Sequence, residues 1–151
     1  MQQLTLFHDD NQEIEFQRLA ANLASLMPMV RSSMNRVAEA HPLSRDLIAD
    51  RMTDISRSSG VKLSRGNAKS VKTATLNKWL APEDRDHPPS LQAVIAFVMA
   101  TGDNSPLMPL LSALGLEVMT DQDKKLRDYG QAVIEAKKSQ KEKKKLEAGL
   151  I

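Results

Sequence analysis

An all-α fold is what this 151-residue sequence predicts, and three observations carry the prediction. Apolar residues recur at three-to-four spacing in each long segment, which is the period of one helix face. Helix signals bound those segments, with Ser, Thr or Asp in front and Gly or Pro behind. Within residues 12–151, Val61 and Leu63 alternate with Lys62 and Ser64, room for one short extended piece.

The elements follow in order. Asp9, Asp10 or Asn11 caps a helical stretch that runs to about Ala40, with Ile14, Leu19, Leu23, Leu26 and Met27 on one side, then Val30, Met34 and Val37. Pro28 interrupts it. The residue before a proline avoids the α region, so the spacing predicts two helices, about 12–26 and 29–40, as the first layer of the core. His41-Pro42 ends the second of these.

Ser44 is a good N-cap for the next helix, and Leu43 stands where a hydrophobic staple would. Leu47, Ile48, Met52 and Ile55 make its stripe, with Ala49 small enough for close helix contact. Residues 56–69 read as a loop, with four Ser, two Gly and the basic residues Arg57, Lys62, Arg65 and Lys69. Helix 71–80 comes next, with Ser70 or Thr73 available as cap and Pro82 as stop. At 100° per residue, Leu76, Trp79 and Leu80 share one face, while Ala74, Thr75, Asn77 and Lys78 fall on the sides and back.

After a loop over 81–90, Ser90 caps a helix from Leu91 to Ala100 that is apolar nearly all round and therefore central; Gly102 ends it. Ser105-Pro106 opens a helix to Leu114, with Gly115 behind it. The last helix runs from about Asp121 to Leu146, capped at Thr120. Leu126, Tyr129, Val133 and Ala136 give it an apolar seam, but Gln140, Lys143 and Lys144 continue that seam. Only its first half can bury a face, against the domain or a partner helix. Three parts result: an extended arm over 1–11, a compact helical domain over 12–118, and a C-terminal helix with a basic tail over 119–151.

Composition narrows the class. Aromatic residues are only 3%, so Leu, Ile, Val, Ala and eight Met must fill the core. The absence of cysteine excludes disulfides and thiolate zinc sites and fits a reducing cytoplasm. No apolar run approaches the ~20 residues of a membrane span. Net charge is only +2, but it is unevenly spread. Residues 61–80 hold five Lys or Arg and no acid, residues 81–123 one Arg against seven acids, and residues 124–151 nine basic residues against four acids. The first basic block coincides with helix 71–80 and the loop before it, the local footprint of phosphate binding.

The pair Ile48-Ala49 followed by Thr75-Leu76-Asn77-Lys78-Trp79-Leu80 resembles the helix-turn-helix segment of small phage and prophage regulators, the lambda-repressor-like or CII-like class. The resemblance spans roughly Leu43–Leu80, about 44–80 being the motif itself. It departs from the usual three- or four-residue turn, because residues 56–69 stand between the helices. It implies a sequence-specific transcriptional regulator, repressor or activator, that inserts helix 71–80 into the major groove of double-stranded DNA. Lys72, Thr73, Thr75, Asn77 and Lys78 are then the base-facing candidates, and Arg57, Lys62, Arg65, Lys69 and Ser70 the phosphate-facing ones. Such proteins commonly work as homo-oligomers, and Leu126, Tyr129, Val133 and Ala136 are the candidates for joining subunits into a dimer or tetramer.

A second resemblance lies in the arm. Gln3-Leu4-Thr5-Leu6-Phe7 is similar to the short peptide, Gln-Leu-(Ser or Asp)-Leu-Phe, by which bacterial proteins dock on the replication sliding clamp; Thr5 departs from it. Gln3, Leu4, Leu6 and Phe7 would be the anchors. The competing reading is an arm that packs on the protein's own body or on a sister subunit. No catalytic motif, cofactor fingerprint or metal-ligand spacing is present: His8, His41 and His87 fall in loops or at helix boundaries, and Asp84, Asp86 and His87 share a proline-rich loop. The expectation is a non-enzymatic protein without cofactor or metal, located in the bacterial cytoplasm and on the nucleoid when bound to DNA.

Overall fold

The computed structural model describes residues 10–65 and 70–150. Gln3, Leu4, Leu6, Phe7 and Lys69 lie outside them. All regular structure among the described residues is helical: α1 Asp10–Ala40, α2 Arg45–Ser59, α3 Thr73–Leu80, α4 Leu91–Thr101, a 3-10 turn Ser105–Leu107, α5 Met108–Ala113 and α6 Asp121–Ala148. The chain divides into two compact units, Met1–Leu116 and Glu117–Ile151.

The core of the first unit is mainly aliphatic, with Phe97 and Trp79 its aromatic members. Val30 and Met34 of α1, Ile48 and Met52 of α2, Leu76 and Leu80 of α3, and Val94 and Phe97 of α4 are fully buried. Burial of each such side chain contributes about 1.5–3 kcal/mol. Ala49, Ala93 and Ala96 are buried as well, and their small size lets α2 and α4 approach closely. α3 packs on both α1 and α2.

Five expectations are corrected. First, α1 is one helix, not two. Proline's fixed φ is close to the helical value, so Pro28 deletes one backbone bond without forcing a break. Pro28 marks a different boundary. Beyond it Val30, Arg31, Ser33, Met34, Val37 and Ala38 are buried, whereas before it Ile14, Leu19 and Leu23 are exposed and only Leu26 and Met27 are half-buried. The front half of α1 is not part of the core layer.

Second, α2 runs on to Ser59, so the connection to α3 begins at Gly60, whose φ of 71° is the left-handed conformation that ends a helix. Third, α3 starts at Thr73 rather than residue 71. Neither Ser70 nor Thr73 caps it; Lys72 holds the N-cap position without a side-chain bond. Fourth, α4 is not buried all round: Leu91, Ile95 and Met99 face outward. Fifth, the turn at Ser105–Leu107 separates from α5 as a 3-10 turn, with Pro106 buried.

The caps at Ser44, Ser90 and Thr120 form as the sequence implies. Ser44 Oγ accepts from Leu47 N at 3.3 Å and Ser90 Oγ from Ala93 N at 3.1 Å. At α6, Thr120 Oγ1 accepts from Asp123 N while the Asp123 carboxylate accepts from Thr120 N at 2.9 Å, a complete capping box. α6 buries none of its residues within its own unit, which leaves Leu126, Tyr129 and Ala136 exposed and Val133 half-buried.

Candidate nucleic-acid interface

The candidate surface is built on α3, a helix of only eight residues. Isolated helices of that length are unstable, so α3 must be held by tertiary contacts. Its inner face supplies Leu76, Trp79 and Leu80 to the core. Its C-terminus is held by Arg31 of α1, which is only 3% exposed. Arg31 Nε donates to the Trp79 carbonyl at 2.8 Å, Nη2 to the Lys78 carbonyl at 2.5 Å and Nη1 to the Asp84 carbonyl at 2.5 Å. Two of these are last-turn carbonyls, of which Lys78 also accepts from Ala81 N at 3.3 Å, and the cation stands at the negative end of the helix dipole. Burial pulls the Arg31 pKa below its ordinary value, while the nearby Asp84 and Glu83 carboxylates push it back.

The N-terminal approach to α3 is tied to α2. Thr53 Oγ1 accepts from Val71 N at 2.8 Å and lies 3.3 Å from the Val71 carbonyl. Two α3 side chains are also engaged. Thr73 Oγ1 donates to Asp46 Oδ1, and Asn77 Oδ1 accepts from Arg45 Nη1 at 2.9 Å. Arg45 spends its other nitrogen, Nη2, on Asn35 Oδ1 at 2.9 Å, so one guanidinium links α1, α2 and α3.

Beside α3 lies an open groove of about 650 Å³. Lys62, Arg65, Ser70, Lys72, Thr75 and Lys78 line it, all of them expected DNA-binding residues. Asp86 is the one carboxylate of the lining, and His87 faces it from the same loop. That loop is folded around Asp84, whose Oδ1 accepts from Asp86 N and His87 N, each at 3.1 Å, and lies 3.0 Å from His87 Nδ1. The His87 hydrogen bond first, and the backbone donors after it, hold the Asp84 carboxyl below the usual carboxylate range. Four cations against one acid make this groove electropositive.

The other expected residues sit elsewhere. Arg57 borders a separate hollow with Asp50 and Asp54, which Ser70, Lys72 and Thr73 also reach. Arg57 therefore stands apart from the groove cations Lys62, Arg65 and Lys78. Thr73 has committed its hydroxyl proton to Asp46, and Asn77 has committed one lone pair to Arg45; the Asn77 amide still offers its N–H donors. Arg31, Arg45 and Asp84 are the organising residues that sequence reasoning missed. A signal existed for Arg31, which stands between Val30 and Met34 on the apolar side of α1.

Among the described residues no helix is long and apolar enough to cross a membrane, and no group of three or more His, Asp or Glu is arranged to hold a metal ion. No family model, curated protein or solved structure matches the chain.

Proposed function

We propose that the protein is a sequence-specific, double-stranded-DNA-binding transcriptional regulator of phage or prophage type. In this reading α2 and α3 act as a helix-turn-helix unit with an expanded connection, and α3 enters the major groove. One observation carries the reading: Lys62, Arg65, Lys72 and Lys78 converge on a groove along a short helix whose inner face and C-terminus are fixed to the core. A core-anchored helix flanked by the basic connection satisfies both demands of recognition, phosphate positioning by the flanking cations and side chains that meet base edges. Lys78 and Thr75 are the base-reading candidates, with Asn77 presented by Arg45. Lys62, Arg65, Ser70 and Lys72 hold phosphates. α6 joins subunits through Leu126, Tyr129, Val133 and Ala136, so that two half-sites are bound together.

The test is a gel-shift salt titration against fragments from upstream of the protein's own gene and against random DNA. A fragment bound on the order of 10³-fold better than random DNA, with affinity falling steeply in salt, is the expected result. Weak and equal binding to every fragment would reduce α3 to a nonspecific basic surface.

A second reading rests on Gln3-Leu4-Thr5-Leu6-Phe7, which suits an adaptor that engages the sliding clamp. Deleting residues 1–8 separates the two. A regulator keeps its DNA affinity, whereas an adaptor loses its partner.

A further inference from the structure

Two helix faces in this chain are apolar, exposed and alike in spacing. The front half of α1 carries Phe16, Leu19, Leu23 and Leu26 at intervals of three, four and three residues. Phe16 and Leu23 are each 71% exposed and Leu19 is 47% exposed. α6 carries Leu126, Tyr129, Val133 and Ala136 at the same intervals, with Leu126 59% and Tyr129 71% exposed. Both are the a/d pattern of a coiled-coil seam. Exposed apolar residues in a continuous row, unlike scattered single ones, mark an interaction surface.

We propose that these seams are partners: the exposed half of α1 in one copy receives α6 of a second copy, antiparallel. Aligned in that direction, Leu26 stands opposite Leu126, Leu23 opposite Tyr129, Leu19 opposite Val133 and Phe16 opposite Ala136, without a slip. The largest α1 side chain meets the smallest on α6, as interdigitated packing requires. Next along, Gln12 meets Gln140, so both seams turn polar at the same layer.

Charge supports this pairing and its direction. The front of α1 carries Asp10, Glu13 and Glu15 against the single Arg18. The antiparallel alignment sets those acids beside the lysine-rich end of α6, where Lys137, Lys138, Lys141 and Lys144 lie. A parallel alignment moves the acids to the α6 front, where Asp121 and Asp123 offset Lys124 and Lys125, and α6 paired in parallel with another α6 stacks lysine on lysine. Area points to reciprocity. A specific interface needs roughly 800 Å² from each partner. One seam of this length, about 15 Å of helix at 1.5 Å per residue, is too small alone. A two-fold dimer uses the α1 seam and the α6 seam of both copies. The inference rests on reading α6 as the subunit-pairing helix but is independent of DNA binding.

The chain has no cysteine, so single cysteines report contacts without background. Leu19→Cys and Val133→Cys chains are made separately, mixed without DNA and oxidised. The expected product is a disulfide-linked dimer of one chain of each kind, formed far faster from the mixture than from either chain alone. Linkage of Val133→Cys chains to themselves, or of Leu19→Cys chains to themselves, as the dominant product overturns the pairing. So does an internal link in a single chain carrying both cysteines that keeps monomer mass, because α6 then folds on its own α1. Light scattering of the unmodified protein gives twice the chain mass; a monomer at tens of micromolar also overturns it. Glu13→Lys with Glu15→Lys weakens dimerisation tenfold or more, and Lys137→Glu with Lys141→Glu in the same chain restores it. Failure of that rescue, with helicity unchanged, counts against the antiparallel register. Loss of DNA binding in the gel shift leaves these readouts untouched, so the two proposals fail separately.

Discussion

Arg31 Nε donates to the carbonyl oxygen of Trp79 at 2.8 Å, and this bond ties the last turn of α3 to the centre of α1. The two residues are 48 positions apart. The guanidinium is planar and carries five donors in a fixed fork. It therefore satisfies carbonyls of Trp79, Lys78 and Asp84 at once, which an ammonium cannot do in that geometry. The candidate surface is anchored by a residue that does not line its groove.

Replacing Arg31 with Ala is expected to destabilise the first unit by about 2–4 kcal/mol, because buried carbonyls lose a charged donor and the site is left with a void. Urea unfolding followed by Trp79 fluorescence measures this; Trp79 is the only tryptophan and sits at the bond itself. Arg31→Lys recovers only part of the loss. An unfolding midpoint equal to that of the unmodified protein in Arg31→Ala would show that α3 does not depend on the fork.

Lys78 and Lys62 line the same groove from different elements, and their substitutions should differ in kind. Lys78→Ala, on the outer face of α3, is expected to relax discrimination between target and random DNA by about 1–3 kcal/mol. Lys62→Ala, in the connection, should weaken all DNA alike and reduce the slope of log affinity against log salt by about one. Competition gel shifts at several salt concentrations read both quantities. If the two variants give the same profile, α3 has no privileged role among the groove cations.

Asn77 is aimed by Arg45, which also holds Asn35. Arg45→Ala removes two exposed or half-buried bonds, each contributing about 1 kcal/mol or less to stability. Its larger effect is expected on DNA, because a freed Asn77 no longer presents one orientation of its amide. A double-mutant cycle of Arg45→Ala with Asn77→Ala should therefore show non-additive losses in specific binding. Strict additivity would mean that the two side chains act independently.

Much of this architecture is legible in the sequence, for local reasons. Ser44, Ser90 and Thr120 announce helix starts because the cap needs only an oxygen within three residues, and all three form the bond. Leu76, Trp79 and Leu80 are buried together because a 3.6-residue period fixes which side chains share a face. Periodicity does not say whether a face has a partner. Leu19 and Leu23 repeat like core residues, yet among the described residues they remain exposed. Long-range polar contacts were equally hidden. Nothing local links Arg31 to Trp79, or Arg45 to Asn77, because those pairs exist only once α1, α2 and α3 are packed. The groove cations clustered in the sequence because Lys62, Arg65, Lys72 and Lys78 come from one stretch of chain. Arg57 belonged to that stretch but is drawn to the Asp50 and Asp54 side of α2 by the helical turn it occupies.

Gly60 tests the connection between the two helices. Its φ of 71° is strained for any residue with a Cβ, while a Cβ built there meets nothing within 4 Å. Gly60→Ala therefore costs only the backbone term, about 1–2 kcal/mol, with no packing contribution. Urea denaturation should show that loss, and affinity for DNA should be unchanged once the protein is folded. A larger loss would mean that the substitution moves the whole connection, Lys62 and Arg65 included.

Acid is expected to loosen the groove from its far wall before it unfolds the protein. Asp84 Oδ1 gathers the Asp86 and His87 amides and the His87 ring, and these donors hold its pKa below the ordinary value. A depressed carboxylate contributes stability that is complete above the unfolded pKa and is lost as pH falls through the folded one. The loop is therefore expected to stay intact at neutral pH and to release below about pH 4, the ordinary range for an aspartate. The Asp86 and His87 amide resonances report this directly: their shifts should titrate together, with a midpoint below that of a free aspartate. Asp84→Asn places an uncharged acceptor there at every pH. In that variant the acid transition of the two amides should vanish. A transition that persists unchanged in Asp84→Asn would assign the loosening to another carboxylate, with Asp86, the groove's own acid, the next to replace.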